Sequence, residues 1–495
     1  MSIELNGTWV CQNFNLQSDN AGSFFHALDQ IIKIQKEREF QRNFKQWQSD
    51  FEQIYPQETL THELFKIHSL LNYSIIAVVL IRVYVLDYHQ GKNDSNLFLS
   101  KNLHNLCRSL EIPDYFSHYL THPDMLYLFS QLLNQKLSAN ALQDDLFANL
   151  YQNLIGTRTR HSKGEFYTYP ALAKKMIESV YQFGMQMLDP SCGSGIFLIE
   201  AAKKILAESV SQDEKISAIS NLYGFDINIL ACIMCRANLL SLAPSFIASG
   251  AKFKVFQMNF LFPKSNFLEN EQCKFDLVIG NPPWVVLNRI PSKTEKENIK
   301  ALGNQFGILR GGKLATSTEI TTIFCYQSVH NFLKDEGMLF FITPASLATG
   351  AQHELFRQFI GLKQIEFWAF EQDAFLIHNL CFKARKGQGT FENRMKISWK
   401  THSIDQNLGE ITLLSEKIYK PSRVMTQNTN QKKKITEYNL QNQKCPKYSP
   451  DPFLFIGQLI DAQENSEYIS SISIVLDCIT LSLYLFLSLK GISIF

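Results

Sequence analysis

The 495-residue sequence lacks a charge excess of either sign, a cysteine framework and an N-terminal signal. Lys plus Arg number 48 and Asp plus Glu number 46, and this balance excludes a histone-like protein that binds nucleic acid through its bulk charge. The ten cysteines have no framework spacing, so a reducing, cytoplasmic compartment is expected. The first residues, MSIELNGTWVCQNF, contain no basic head followed by an apolar stretch, and they predict no secretory signal.

The motifs of several enzyme classes are also missing. No Gly-Lys-Ser/Thr follows a glycine-rich turn, which excludes a P-loop, and the 12 histidines form no His-Glu-x-x-His or comparable ligand set. Cys232 and Cys235 are spaced as Cys-x-x-Cys, but without a second pair at zinc spacing they predict buried thiols and no metal site. No carboxylate–lysine cluster of the nuclease type stands in the N-terminal region, so cleavage is not indicated.

Apolar residues make up 45% of the chain, which is enough to fill the cores of two or three domains. Residues 1–155 favour a helical N-terminal domain, because apolar positions recur there at three- and four-residue spacing and Pro and Gly are few. Within it the run Tyr73–Tyr84 is strongly apolar. At about a dozen residues this run predicts a buried helix rather than a membrane span.

Residues 156–390 have a different pattern, in which short apolar runs alternate with helical stretches. This alternation predicts an α/β domain, a doubly wound Rossmann-like sheet of parallel strands with helices on both faces. Ligands of such sheets bind outside the carboxyl ends of the strands. The predicted strands are Met185–Leu188, Leu222–Phe225, Phe253–Phe256, Leu277–Ile279, Met338–Ile342 and Ile365–Phe370.

The C-terminal part is basic and then apolar. Between residues 381 and 450 there are 14 Lys/Arg against 5 Asp/Glu, including Lys432–Lys434, and the segment looks rich in loops. A solvated linker and a surface for nucleic-acid phosphates both fit this composition. Residues 469–495 are apolar, but Asp477 and six serines argue against a membrane span. We expect a frameshifted or truncated end there.

A glycine-rich turn, Asp189-Pro190-Ser191-Cys192-Gly193-Ser194-Gly195, follows one predicted strand and opens a helix. Gly193 and Gly195 allow the backbone to approach a ligand closely, which favours a nucleoside-binding loop; a purely structural turn is the alternative. The next strand ends at Asp226, placed to accept hydrogen bonds from two ribose hydroxyls. Capping the following helix is a second role for Asp226, and both can hold together.

The segment Asn281-Pro282-Pro283-Trp284 follows the predicted strand FDLVIG. Its two prolines fix φ and remove two N–H donors, so this backbone presents carbonyl groups without donors. Asn281 adds a side-chain oxygen and Trp284 adds a flat face. Together they suit a planar amino group whose ring stacks on the indole, while a proline-stiffened turn with a core tryptophan is the alternative.

The segments DPSCGSGIFL, GFD and FDLVIGNPPW, in this order and spacing, make the chain similar to the S-adenosylmethionine-dependent amino-methyltransferases. It most resembles the adenine-N6 DNA methyltransferases of restriction–modification and phage-defence systems, over about residues 150–385. Residues Arg160–Thr168 resemble the Gly-x-Phe/Tyr-Tyr-Thr-Pro segment of these enzymes. Here Tyr169 stands where proline is usual, and Pro170 follows one place later.

This resemblance implies methyl transfer from S-adenosylmethionine to the N6 amino group of a flipped-out adenine in double-stranded DNA, without a metal. The residues implied are, for the cofactor, Tyr167, Thr168, Asp189, Gly193, Gly195, Asp226 and Asn259 (in place of the acidic residue often found there) and, for catalysis, Asn281, Pro282, Pro283 and Trp284. Trp284 and Phe375 are expected to stack the target base.

The resemblance also implies specificity or restriction subunits as partners, and no membrane is expected. Residues 391–468 are expected to be the start of a basic DNA-recognition region. The loop Arg310-Gly311-Gly312-Lys313 is expected either to touch the DNA backbone or to be a solvated turn. Two alternatives stay open. Asn-Pro-Pro-aromatic motifs also occur in enzymes that methylate a protein glutamine amide or an RNA base, and the chain could be an inactive, truncated DNA-binding remnant.

Overall fold

The protein combines a helical part with a large sheet, and a computed structural model gives its structure. The ranges it describes are residues 3–35, 37–52, 54, 58–88, 95–134, 137–138, 145–155, 168–243, 252–264, 274–371, 378–388, 396–405 and 410–419. The helical part lies before residue 155, and the sheet with its flanking helices lies after residue 168.

The described residues up to 155 form helices, as predicted. They are α1 (Gly7–Phe14), α2 (Asp19–Ile34), α3 (Glu37–Glu52), α4 (His62–Tyr88), α5 (Ser95–Ser109), α6 (Asp114–Leu120), α7 (Pro123–Leu133) and α8 (Ala148–Leu154). Two short strands, β1 (Ile3–Glu4) and β2 (Leu137–Ser138), pair in parallel beside them.

Helix α4 is the centre of the helical part. Among the described residues, its segment His62–Val85 is the one helix long and apolar enough to cross a membrane. Of the 18 most apolar consecutive residues in this segment, 83% are buried within the protein. A core helix has the same composition, because it is surrounded by apolar side chains on all sides. The predicted buried helix at Tyr73–Tyr84 is therefore confirmed.

In the described part of the chain, nine strands form the sheet that follows, in the order β5-β4-β3-β6-β7-β9-β8-β10-β11. They are β3 (Met187–Asp189), β4 (Leu222–Asp226), β5 (Lys254–Gln257), β6 (Phe275–Gly280), β7 (Leu333–Pro344), β8 (Leu362–Phe370), β9 (Asn379–Lys386), β10 (Ile397–Asp405) and β11 (Glu410–Tyr419). The accompanying helices are α9 (Pro170–Val180), α10 (Ile196–Ala207), α11 (Gln212–Ile219), α12 (Ile229–Leu242), α13 (Lys293–Gln305), α14 (Lys313–Thr316), α15 (Ile320–Gln327) and α16 (Ser346–Thr349).

Apolar clusters cover both faces of this sheet. Along β6, Val278 belongs to the cluster with α13 and α15, whereas Leu277 and Ile279 belong to the cluster with α9 and α10. Strands buried on both faces read as continuous apolar runs, which is why the sequence located five of the six predicted strands; the sixth, β5, was also located, although two of its four residues are exposed. The predicted fold class, a doubly wound Rossmann-like sheet with a helical N-terminal part, is confirmed.

Two expectations were wrong. The sheet is mixed and not wholly parallel, since β9 runs antiparallel between β7 and β8 and β11 runs antiparallel to β10. The connection from β8 to β9 is too short for a crossover helix, so the chain returns in the opposite direction. The described part of the segment expected to be rich in loops contains β10 and β11. In β10 buried residues alternate with more exposed ones: Trp399 is buried, while Lys400 binds Glu366 at 3.0 Å. Residues 420–450 of this segment lie outside the described ranges.

The helical part and the sheet share one core. Leu230 and Ile233 on α12 lie in the same apolar cluster as residues 75–81 of α4. Arg236, also on α12 and only 2% exposed, donates to the Leu110 carbonyl at 3.0 Å. Because this core joins residues from both parts, we expect them to unfold together.

A Leu230→Ala variant tests this shared core. The side chain is fully buried, so its truncation should lower the free energy of unfolding by about 2–5 kcal/mol. Far-UV circular dichroism and tryptophan fluorescence should report one coincident urea transition. The control, Leu16→Ala at a residue that is 47% exposed, should change stability little; separate transitions for the two parts would contradict a common core.

Candidate functional site

The candidate site lies where the ends of β3, β4 and β6 meet at the carboxyl edge of the sheet. From β3 the chain runs outward to β4 and β5, and from β6 it runs the other way to β7. A crevice opens at such a reversal of strand order. Asp189 ends β3, Asp226 ends β4, and Asn281 follows β6, so the structure brings the predicted motifs together.

The glycine-rich turn and the proline segment are in direct contact. A Cβ atom added at Gly280 would lie 2.6 Å from Asp189 Oδ1, so a side chain at this position would displace the carboxylate. Only glycine fits between the two strand ends without a shift. The contact therefore connects the turn after β3 to the segment that begins at Asn281.

Gly193 and Gly195 have different roles in the turn. Both have positive φ, +53° and +98°, which favours glycine. A Cβ atom at Gly193 would meet no described heavy atom within 4 Å, whereas one at Gly195 would lie 2.5 Å from Cys235 Sγ. Gly193 thus faces open space suited to a ligand, while Gly195 allows the turn to pack on α12.

The Asp226 carboxylate is partly exposed and supports the same turn. It accepts hydrogen bonds from the Gly193 N–H at 3.0 Å and from the Asn228 N–H at 2.8 Å. Burial raises the pKa of Asp226, and these N–H groups oppose the rise. The N-cap of α12 is Asn228, whose side chain accepts from the Leu230 N–H, so the capping role considered for Asp226 belongs to Asn228.

Side-chain contacts hold the segment Asn281–Trp284, termed here the proline corner. Asn281 Nδ2 donates to Thr168 Oγ1 at 3.3 Å, and Ser191 Oγ donates to the Asn281 carbonyl at 3.3 Å. Thr321 Oγ1 donates to the Pro283 carbonyl at 3.0 Å. Through these contacts the corner, the glycine-rich turn and Thr168 form one site, with Trp284 half-buried beside them.

Pro170, which stands one place later than the proline usual in the resembling enzymes, has a structural role next to Thr168. It occupies the first turn of α9, with Tyr169 as the N-cap residue. Proline is favoured there because its φ suits a helix and its missing N–H would have no intrahelical partner. The start of α9 therefore fixes Thr168, which is 6% exposed, next to Asn281.

Asn259 lies just beyond β5 and is exposed. Its Oδ1 accepts from the Leu261 N–H at 3.0 Å, and the neighbouring Met258 N–H bonds the Asp226 carbonyl at 2.8 Å. The Asn259 oxygen thus stabilises a local turn, although a carbonyl oxygen has a second lone pair for a ligand. The predicted role of Asn259 in holding the cofactor stays a prediction.

Several predicted residues lie outside the described ranges. They are Tyr167 with the preceding residues from Arg160, Phe375, Lys432–Lys434 and the segment 469–495. Their predicted roles stay predictions. Arg310 is described, and it forms an ion pair with Glu354 at 2.5 Å beside a cavity of about 420 Å³ that Lys300 also lines. Both interpretations of its loop stay open. The expected buried thiols at Cys232 and Cys235 are confirmed.

The sequence reasoning missed Asp145, which ties the helical part to the glycine-rich turn. Its buried carboxylate accepts hydrogen bonds from Ser194 Oγ, from Asn238 Nδ2 at 2.9 Å, and from two backbone N–H groups at the start of α8. Nearby, Asn228 Nδ2 bonds the Tyr151 hydroxyl at 3.0 Å. An aspartate before a helix indicates an N-cap residue. This sequence pattern does not indicate that Asp145 would also bind Ser194 and Asn238, which are distant in the chain.

The Asp189 carboxyl is 1% exposed, and burial raises its pKa to about 8. The negative charge of Asp226 adds to the rise, whereas the Ser191 N–H opposes it. In the unfolded chain the pKa is about 3.9. Between these two pH values the Asp189 carboxyl is therefore protonated in the folded protein and ionised in the unfolded chain. The stability of the protein should fall as the pH rises from about 4 to about 8 and then level off.

An Asp189→Asn variant should remove this dependence, because the amide is neutral throughout. As the pH rises from about 4 to about 8, its free energy of unfolding relative to the wild type should increase by up to about 1.4 kcal/mol per pH unit. Urea titrations at a series of pH values measure the difference. Asp335→Asn, at a side chain that is 96% exposed, serves as the control; parallel curves for Asp189→Asn and the wild type would contradict the assignment.

The strand order defines a doubly wound α/β domain, with the glycine-rich turn and the proline corner as its candidate site at the strand reversal. Residues 142–344 match the family model described as N-6 DNA Methylase. The match agrees with the family resemblance predicted from the sequence.

Two relatives extend the comparison. The chain is 23% identical over 237 residues to the Type II methyltransferase M.VspI of Vibrio sp. (strain 343), which covers 48% of this chain and 50% of the relative. It is 26% identical over 168 residues to the Type I restriction enzyme MjaIX methylase subunit of Methanocaldococcus jannaschii, covering 33% and 27%. The chain thus spans half or less of the length of these relatives.

A solved structure shows the same fold. The cryo-EM structure of the DrdV–DNA complex superposes with a TM-score of 0.50 at 12% identity, over 81% of this chain and 44% of that chain.

Proposed function

We propose that this protein transfers a methyl group from S-adenosylmethionine to the N6 amino group of adenine in double-stranded DNA, within a restriction–modification or related defence system. The contact between the proline corner and the glycine-rich turn carries the proposal. Ser191 of the turn bonds the Asn281 carbonyl, and the Asn281 amide bonds Thr168. A substrate amino group at the corner would therefore lie beside a ligand held by the turn.

The residues at the turn suit S-adenosylmethionine. The open space at Gly193 admits a ligand close to the backbone, and the partly exposed Asp226 carboxylate offers acceptors for ribose hydroxyls. A ligand with a sulfonium and an ammonium group would favour the ionised forms of Asp189 and Asp226, which burial by itself disfavours. When bound, this cofactor supplies an electrophilic methyl group on positively charged sulfur. Tyr167, Thr168, Gly195 and Asn259 complete the proposed cofactor site.

The proline corner suits an aromatic amino group. The nitrogen lone pair of adenine N6 is delocalised into the ring, which makes the nitrogen a poor nucleophile. If Asn281 Oδ1 and the Pro282 carbonyl accept its two hydrogens, the nitrogen is drawn toward tetrahedral geometry and its lone pair is localised. These acceptors are fixed before the substrate arrives, so they need no reorganisation during the reaction.

The adenine must leave the duplex to reach this corner, because its amino group is paired inside the helix. Flipping costs a few kcal/mol. Stacking on the face of Trp284 would return about 1–3 kcal/mol, and Phe375 is the proposed second stacking residue. Pro283 follows the Pro282 carbonyl and keeps the chain free of an N–H donor at this point.

The proposed partners follow from the relatives. One of them is named as a methylase subunit of a Type I restriction enzyme, and this chain covers only part of that protein's length. We infer that specificity or restriction subunits complete the system, in the cytoplasm, and that a basic region from residue 391 onward contributes to DNA recognition.

Labelled nucleosides provide the test of the proposal. The protein is incubated with mixed unmethylated DNA and methyl-labelled S-adenosylmethionine, and the DNA is digested to nucleosides; label should appear in N6-methyldeoxyadenosine. Asn281→Ala should lower this rate by about 100-fold or more, because one of two fixed acceptors is lost. Asn288→Ala, at an exposed asparagine beyond the corner, should retain the rate. Label in RNA or protein instead of DNA would support the alternative acceptors.

Asp226→Ala should weaken S-adenosylmethionine binding without affecting the proline corner. Hydrogen bonds to a charged group are worth about 1.5–3 kcal/mol each, so the dissociation constant should rise at least about tenfold by calorimetry. Asp213→Ala, at an exposed acidic residue in the first turn of α11, should leave the constant unchanged. An unaltered constant for Asp226→Ala would reject its role at the ribose.

A further inference from the structure

The two prolines of the proline corner can make few backbone hydrogen bonds. Pro282 and Pro283 have ring-locked φ and no N–H groups, so backbone hydrogen bonds can hold these two residues only through their carbonyl oxygens. The remaining soft torsions are the ψ angles of these residues and of Asn281, and they set the directions in which the carbonyl groups point. Contacts to the carbonyl oxygens therefore decide the geometry of the corner.

Two hydroxyl groups bind carbonyls on either side of Pro282. Ser191 Oγ donates to the Asn281 carbonyl at 3.3 Å, and Thr321 Oγ1 donates to the Pro283 carbonyl at 3.0 Å. Each bond fixes the orientation of one peptide plane. The Pro282 carbonyl lies between these planes, and with φ of Pro283 locked its direction is determined by them.

Thr321 is itself held firmly. It is fully buried in the first turn of α15, and the adjacent Ile320 N–H bonds the Val285 carbonyl at 2.9 Å. Glu319, the N-cap residue of α15, pairs with Val286 as a β-bridge. The chain that leaves the corner is thus paired with the chain that enters α15, which keeps the Thr321 hydroxyl in place.

Glu319 connects the start of α15 to the sheet. Its carboxylate accepts from Ser346 Oγ at 2.6 Å and contacts His353 Nε2. Ser346 follows β7, the strand next to β6. Burial works against ionisation of Glu319, yet its contact with His353 holds the pKa of Glu319 below the usual value. The carboxylate therefore stays charged and fixes the start of α15 relative to the corner.

We propose that Thr321 is a positioning residue for methyl transfer: its hydroxyl orients the Pro283 carbonyl so that the Pro282 carbonyl points at the substrate amino group. This inference rests on the proposed function and assigns a residue outside the proline corner to it. Ser191 has the matching role on the other side, but it belongs to the glycine-rich turn, so its replacement would disturb both ligands. Thr321 isolates the effect.

A Thr321→Val variant removes the hydroxyl while keeping the shape of the side chain. The rate constant kcat for methylation of mixed unmethylated DNA should fall about 10- to 100-fold, since a small misplacement of a reacting group has effects of this size. The dissociation constant of S-adenosylmethionine should stay within about twofold of the wild type, because Thr321 lies on the substrate side. Thr321→Ser, which retains the hydroxyl, should restore most of the rate.

Thr322→Val is the matched control. Thr322 is also fully buried on α15, and its Oγ1 donates to the Glu319 carbonyl at 2.8 Å, away from the proline corner. Both valine variants lose one buried hydroxyl bond, so their Tm values should fall by similar amounts. Only Thr321→Val should lose kcat.

The outcomes separate the two proposals. If the wild-type protein methylates DNA and the two valine variants have equal kcat values, whether both normal or both reduced, the positioning role of Thr321 is overturned. The proposed function would stand in that case. A kcat loss in Thr321→Val that serine does not restore would also overturn the positioning role. A wild-type protein that binds S-adenosylmethionine but methylates no DNA adenine would reject the proposed function, and the role of Thr321 with it.

Discussion

The site depends on the contact between the ends of β3 and β6. Neighbouring strands lie about 4.8 Å apart, and at this point one strand supplies the Asp189 carboxylate and the other supplies Gly280, whose missing side chain leaves room for it. Two motifs separated by almost a hundred positions in the chain thereby become one crevice. Without that contact the proline corner would be a stiff turn, and the glycine-rich turn would be a loop with nothing beside it.

Buried carboxylates are the second feature that unites the structure. Desolvation raises the pKa of Asp145, Asp189 and Asp226, so the fold holds these acidic groups in an environment that disfavours their charge. Such an arrangement costs stability at the candidate site, which is the usual conflict between stability and function. Two of these carboxylates hold the glycine-rich turn: Asp226 accepts from the Gly193 N–H, and Asp145 accepts from the Ser194 hydroxyl.

The helical part contributes to this site and does not merely flank it. Residues 145–155 precede the boundary predicted at residue 155, yet Asp145 bonds Ser194 of the turn, and Tyr151 accepts a hydrogen bond from Asn228 beyond Asp226. The apolar cluster continues from α4 onto α12. A change in the helical part can therefore reach the proposed cofactor residues through two hydrogen bonds and a packed helix.

The sequence alone determined the order of the elements and the identity of the motifs. Strands buried on both faces produce unbroken apolar runs, and rare combinations such as Asn281-Pro282-Pro283-Trp284 carry their chemistry in the residue types themselves. Only the tertiary structure decided the antiparallel strands among the lysines, the capping role of Asn228, and the contacts of Asp145 and Thr321. These depend on which distant residues meet, and an ordinary aspartate or threonine acquires such a role only from the partner that folding brings to it.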